Sequence, residues 1–275
     1  MNDNINNAIQ INMPKGCRYM SDYDKLLDGI LPLDRKFILN KTVTGCGGTS
    51  LFLNSNFPVV IISPRLQVLK EKHKQYPDSF HFHIPPSNNR GQAIIQKMQD
   101  LDSYLNYHHG STPFTPLPMR PAKILVTLDS SDKVLSVLRG NNMLDSCLFV
   151  VDEFQCLMSD ATFKGSTDMN FLIRLDNEVK RICYLSATPV PDIYLDYIPQ
   201  FANIPYYKLE WDPDVIVEPT LKERQMRKGE TAEKLCEELI QRYRRDGYFE
   251  RKIVNGNITY SREACIFLNE VKSII

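Results

Sequence analysis

The stretch Cys147-Leu148-Phe149-Val150-Val151-Asp152-Glu153 passes through apolar side chains without a break and then meets two carboxylates. A strand wetted on one face alternates apolar and polar residues. An unbroken apolar run belongs to a strand covered on both faces, as in a parallel sheet flanked by helices. The same theme recurs in both directions. Phe37-Ile38-Leu39 precedes a glycine cluster at 45–48, Val59-Val60-Ile61-Ile62 precedes a helical pattern over 65–76, and Ile124-Leu125-Val126 precedes another over 131–138. A further short run lies at 182–185, and 92–107 is periodic enough for a helix. Strands alternating with helices predict an α/β fold with a doubly wound, mostly parallel sheet and helices on both faces.

Around that core, residues 1–17 are Asn-rich and polar and are expected to form a flexible lead. Residues 108–121 carry four prolines and are expected to loop. A charged stretch at 211–230 is expected to link the domain at 18–210 to a second one beginning at 231. That second part should open with a helix at 231–246 whose apolar side holds Leu235, Leu239 and Ile240. It continues with two β-type runs around Asn255-Gly256, the strongest short hairpin signal. A buried strand over 264–268 and the start of a helix at 271–275 follow, so the second α/β domain is expected to be incomplete.

Lysine plus arginine and aspartate plus glutamate both total 33, a net charge of +0, so any nucleic-acid binding must come from a local basic surface. The seven cysteines are odd in number and form no C-x-x-C pair, which fits reduced, buried thiols. The N-terminus has no apolar signal core, and no apolar run is long enough to span a bilayer. A cytoplasmic protein with no membrane partner is expected, in a cell or in the host of a virus or mobile element.

Three segments carry chemistry. Thr44-Gly45-Cys46-Gly47-Gly48-Thr49-Ser50 follows an apolar strand and opens a helical pattern. That is the setting of a phosphate-binding loop, whose glycines let backbone amides approach an anion. Asp152 and Glu153 emerge where a parallel sheet places its ligands, and adjacent residues point in different directions. Asp152 can therefore hold Mg²⁺ while Glu153 orients and deprotonates a water. Ser186-Ala187-Thr188 sits at another strand end, with hydroxyls that can meet the acidic pair. Each segment taken alone also has a blander reading: a glycine turn, a solvated acidic turn and a Ser/Thr/Pro turn.

In order, spacing and placement the three resemble the DEAD/DEAH-type superfamily 2 helicases. Their motif I reads A-x-T-G-x-G-K-T, motif II D-E-x-x and motif III S-A-T. Thr44–Thr49 matches motif I except at Gly48, Asp152-Glu153-Phe154-Gln155 matches motif II, and Ser186-Ala187-Thr188 matches motif III. More loosely, Ser63-Pro64-Arg65 looks like motif Ia, Thr127 and Ser130 fall where motif Ib or Ic would lie, and Ala264–Asn269 looks like motif IV. The resemblance implies a RecA-like ATPase domain that binds ATP along Thr44–Ser50, with Mg²⁺ near Thr49 and Asp152. It implies coupling of hydrolysis to movement through Ser186, Ala187 and Thr188. It also implies nucleic-acid contacts from Ser63, Pro64, Arg65, Thr127 and Ser130, with DNA ahead of RNA as partner. Because the family's arginine finger lies on the second domain, residues 1–275 alone are expected to hydrolyse ATP weakly.

Gly48 stands where that family carries a lysine. Lys41, at the start of the same loop, is the candidate replacement, with Lys36 behind it; the blander reading of Lys41 is a solvated strand-end lysine. Two rival functions stay open. One is a degenerate module that binds nucleotide or nucleic acid without efficient hydrolysis. The other is an α/β interaction protein whose motifs are accidental. His81, His83, His108 and His109 lack Cys or carboxylate partners at structural zinc spacing, and no G-x-S-x-G nucleophile elbow occurs.

Overall fold

The computed structural model describes residues 8–86, 88–109, 120–159, 161–188, 195, 199–215, 230–254 and 257–261. The chain divides into two compact units, Met1–Val217 and Glu218–Ile275.

In the first unit the strands are β1 (Ile9–Asn12), β2 (Phe37–Asn40), β3 (Val59–Ser63), β4 (Phe80–Phe82), β5 (Lys123–Thr127), β6 (Leu148–Asp152), β7 (Ile182–Ser186) and β8 (Tyr206–Glu210). They form one eight-stranded sheet in the order β1-β8-β2-β7-β6-β3-β5-β4. Every pairing in it is parallel. The helices are α1 (Gly48–Leu53), α2 (Leu66–Gln75), α3 (Arg90–His109), α4 (Ser131–Gly140), α5 (Gln155–Ser159) and α6 (Ala161–Glu178).

Successive strand residues point to opposite faces, and the apolar runs divide accordingly. Ile38, Phe149, Val151 and Tyr184 join one core with Leu101 and Leu105 of α3, Val134 and Leu138 of α4 and Leu172 and Leu175 of α6. Phe37, Leu39, Leu148, Val150 and Leu185 join the other core with Leu51 to Leu53 of α1 and Leu69 of α2. Both faces are therefore covered, as the unbroken apolar runs predicted.

Several expectations change. The lead over 1–17 is not free where it is described: Ile9–Asn12 adds an edge strand beside β8, and Ile11, Met13 and Cys17 are buried. Only Ile11 of that strand is buried, so its polar composition reflects an edge. α3 continues through His108 and His109 into the segment expected to loop, whose residues 110–119 lie outside the described set. The stretch expected to link from 211 begins with Trp211 in the core and a 3₁₀ turn at Pro213–Val215, and 216–229 lie outside the described residues.

In the second unit, α7 (Ala232–Asp246) starts at Thr231, whose hydroxyl accepts from Lys234 N, and stops at Gly247 in the left-handed conformation. Ile240 is exposed, so it does not belong to the buried side with Leu235 and Leu239, which are half-buried. β9 (Glu250–Val254) and β10 (Asn257–Ser261) pair antiparallel with Asn257 opposite Val254. Asn255-Gly256, the strand expected over 264–268 and the helix expected at 271–275 lie outside the described residues. Among the described residues no helix is long and apolar enough to cross a membrane.

Candidate functional site

Parallel strands bring all their C-terminal ends to one rim. The register sets Asn40 of β2 beside Ser186 of β7, Leu185 of β7 beside Asp152 of β6, Val151 of β6 beside Ile62 of β3, and Ser63 of β3 beside Thr127 of β5. The three chemistry-bearing segments singled out in the sequence lie on or just beyond this rim.

The glycine loop leaves β2 and enters α1. Gly45 and Gly47 take φ of 73° and 80°, values that favour glycine. Gly48 does not share them, because it already belongs to α1. α1 has only six residues, so its dipole is small, and the loop's electrostatics rest on side chains and individual amides. Thr49 is buried and its hydroxyl donates to Asp152 Oδ2 at 3.4 Å. Cys46 is buried in the core beneath the loop, so it offers its backbone, and its carbonyl accepts from Met20 N. Thr44 and Gly45 are exposed. Ser50 turns away: its hydroxyl accepts from Lys72 Nζ of α2 at 2.8 Å.

Asp152 is 5% exposed, and its Oδ1 has no hydrogen-bond partner. Lys41 Nζ lies 3.8 Å from that oxygen and 3.7 Å from Glu153 Oε1. Those distances exceed a hydrogen bond, so the contact is electrostatic and the oxygen's lone pairs stay available. Burial pushes the Asp152 carboxyl above the usual carboxylate range; Lys41 opposes this and Glu153 adds to it. Glu153 follows the strand with φ of 54°, in a region where non-glycine residues are strained, and its Oε2 accepts from Gln155 Nε2. Two hard carboxylates and a hydroxyl are oxygen donors of the kind magnesium prefers. Among the described residues no cluster of three or more His, Cys, Asp or Glu converges on a metal. Magnesium sites that use one or two carboxylates, waters and substrate phosphates need no such cluster. The buried, unfilled Asp152 oxygen beside Thr49 fits that pattern.

Ser186 and Thr188 share a hydroxyl contact of 3.3 Å, and Thr188 N donates to Ser186 Oγ. Neither bonds to the carboxylates, which differs from the expected link to the acidic pair. They are tied to the lysine-bearing strand instead: Lys41 N donates to Ser186 O, and Asn40 Nδ2 donates to Thr188 O at 3.0 Å. Ala187 between them is buried.

On the far side of the rim Arg65 is exposed, and Pro64, Thr127 and Ser130 are half-buried. Ser63 is 1% exposed and its hydroxyl accepts from Arg65 N, so it shapes the turn and presents no face to a ligand. Lys36 lies at the other end of β2, where it pairs with Asp176 of α6, out of reach of the carboxylates. His73, His81 and His83 gather near edge strand β4, with ring centroids 5.6–5.7 Å apart along the series.

Asn40 and Trp211 escaped the sequence reading. Asn40 closes the apolar run of β2; it also donates to Tyr206 Oη, and its Oδ1 accepts from Thr42 N. Trp211 Nε1 donates to Lys41 O at 2.8 Å, and Thr42 Oγ1 donates to the carbonyls of Lys41 and Leu209. A polar residue ending an apolar run was a visible signal for Asn40. Trp211 gave none, because its partner lies far away in the chain.

No protein-family model matches this chain. Comparison with curated proteins also finds no match.

Proposed function

We propose that this chain binds a magnesium–nucleoside triphosphate, ATP foremost, at the rim between the β2 loop and the end of β6, and hydrolyses it to drive movement along a single nucleic-acid strand. The reading is supported above all by one convergence: Thr49 and the adjacent pair Asp152-Glu153, which lies 103 residues further along the chain, meet beside a glycine loop, with Thr49 Oγ1 3.4 Å from Asp152 Oδ2. The Ser186–Thr188 pair lies one strand away, joined through β2.

In this reading Thr49 and Asp152 hold the magnesium, which when bound would offset charge on the β- and γ-phosphates. The amides of Gly45 to Gly48 cradle the phosphate chain. Glu153 accepts a hydrogen bond from the attacking water and takes its proton. The water oxygen bonds to the γ-phosphorus. The bond from that phosphorus to the β,γ-bridging oxygen breaks, and the nucleoside diphosphate leaves with the electron pair. Ser186 and Thr188 sense the change through Asn40 and Lys41, whose strand they hold. Arg65, Thr127 and Ser130 grip backbone phosphates without reading sequence.

The test is ATP turnover by the full-length protein, with and without single-stranded DNA. Stimulated turnover that Glu153→Gln abolishes, with nucleotide binding retained, is the expected result. Equal turnover in Glu153→Gln would contradict the assigned role. A second reading, binding without efficient hydrolysis, is favoured by Gly48; it predicts nucleotide binding with no stimulated turnover in the unaltered protein.

A further inference from the structure

We propose that Lys41 is the cation that holds the terminal phosphates of the bound nucleotide, delivered from the end of β2 into the space that a side chain at position 48 would otherwise fill. The assignment rests on the nucleotide reading above.

Gly48 has no backbone reason to be glycine: it is the first residue of α1, and its φ lies outside the left-handed region. The reason is space. A Cβ there would sit 3.2 Å from Lys41 Cδ and 3.1 Å from Leu185 Cδ2, with Met20 Sδ at 3.5 Å. The stem of Lys41 thus runs beside the first turn of α1 and carries its ammonium to the acidic pair. Glycine at 48 and lysine at 41 are two halves of one arrangement.

Lys41 is also held for the task. Its N–H donates to Ser186 O, and its carbonyl accepts from Trp211 Nε1 and Thr42 Oγ1. The residue is 7% exposed, yet its ammonium stands 3.7–3.8 Å from two carboxylates, beyond hydrogen-bond distance of either. A buried ammonium that lies beside one buried and one half-buried carboxylate, and hydrogen-bonds neither, is an arrangement with room for a further anion. Lys36 is engaged with Asp176, Lys72 with Ser50, and Lys123 with the carbonyls of Phe52, Ser55 and Phe57. Triphosphate supplies negative oxygens for the Lys41 ammonium and frees the carboxylates for metal and water.

The chain's single tryptophan bonds to Lys41 and so supplies a reporter. MgATP and AMP are titrated separately into the unaltered chain, Lys41→Met and Lys41→Ala/Gly48→Lys, following Trp211 fluorescence, with calorimetry as a second readout. Thermal melting without nucleotide establishes that each variant is folded. Lys41→Met keeps the apolar stem and removes the charge. It is expected to weaken ATP about 10- to 100-fold, the range for a lost charge-assisted contact, while leaving AMP within about threefold. The double variant, whose position-48 side chain gains the vacated space, is expected to recover most of the ATP affinity. ATP affinity unchanged in Lys41→Met overturns the assignment, as does equal loss of ATP and AMP. A folded double variant that binds ATP no better than Lys41→Met also overturns it. An unaltered chain that binds neither nucleotide sinks the nucleotide site itself, and Lys41's role with it.

Discussion

Asn40→Ala is expected to destabilise the first unit by about 3 kcal/mol and to loosen the nucleotide loop. Asn40 is 1% exposed and uses both ends of its amide. Nδ2 donates to Thr188 O and Tyr206 Oη at 3.0 Å each, and Oδ1 accepts from Thr42 N at 2.9 Å. Alanine removes all three bonds. Each is worth about 1 kcal/mol net, and a backbone group stranded away from water adds to that. In a domain of roughly 200 residues, each kcal/mol moves Tm by about 2–4 °C, so a fall of about 6–12 °C is expected. Urea unfolding followed by circular dichroism gives the free energy, and a double-mutant cycle with Tyr206→Phe isolates the pair. Coupling above about 0.5 kcal/mol is expected for residues in one network. A loss below about 1 kcal/mol, or a strictly additive cycle, would refute the claim that Asn40 ties the β2, β7 and β8 ends together.

Other outcomes follow from single residues. Tyr184 is fully buried and its hydroxyl has no hydrogen-bond partner, so Tyr184→Phe should stabilise the protein by about 1 kcal/mol, read as a raised Tm; a lowered Tm would mean that the hydroxyl is satisfied. Burial, reinforced by His73, His83, Lys97 and Lys70, pushes His81 down to about 4 from its ordinary value of 6.5. The folded state then binds fewer protons than the unfolded state between those values. Stability should therefore fall as pH drops from about 6.5 to 4, by about 1 kcal/mol after discounting for a half-exposed ring. His81→Phe should flatten that slope in urea titrations, and an unchanged slope would exclude His81 as its source. Arg65→Ala should weaken single-stranded DNA binding regardless of sequence and make the salt dependence shallower by about 0.7 in log–log slope. Fluorescence anisotropy of a labelled oligonucleotide across salt concentrations checks this, and an unaltered slope would remove Arg65 from the contact surface.

Much of the fold was legible because β3, β5, β6 and β7 are buried on both faces and their sequences carry little else. The strands that escaped lie at or near the sheet margins, where burial writes a weaker pattern. β1 buries Ile11 alone. β8 mixes Tyr206 and Leu209 with Lys208 and a terminal Glu210, so no unbroken apolar run marks it. β4 reads Phe-His-Phe, and its His81, with His83 just beyond it, drew attention to metals instead. Within the site, residue type was more legible than direction. Thr49 and Ser50 are neighbours, yet the helical turn aims one at Asp152 and the other at Lys72. Ser63 and Arg65 share a turn, yet only Arg65 is open to solvent. Lys41 was identified by its place beside the loop, but the close fit between its stem and Gly48 is a three-dimensional fact.

The most direct measurement is equilibrium binding of a fluorescent ATP analogue, with and without Mg²⁺, to the unaltered chain and to Asp152→Asn. The unaltered chain should bind, and Mg²⁺ should tighten the complex. Asp152→Asn should still bind without metal and should lose the tightening. No binding by the unaltered chain, or the same response to Mg²⁺ in both proteins, would contradict a magnesium–nucleotide site at Thr49 and Asp152.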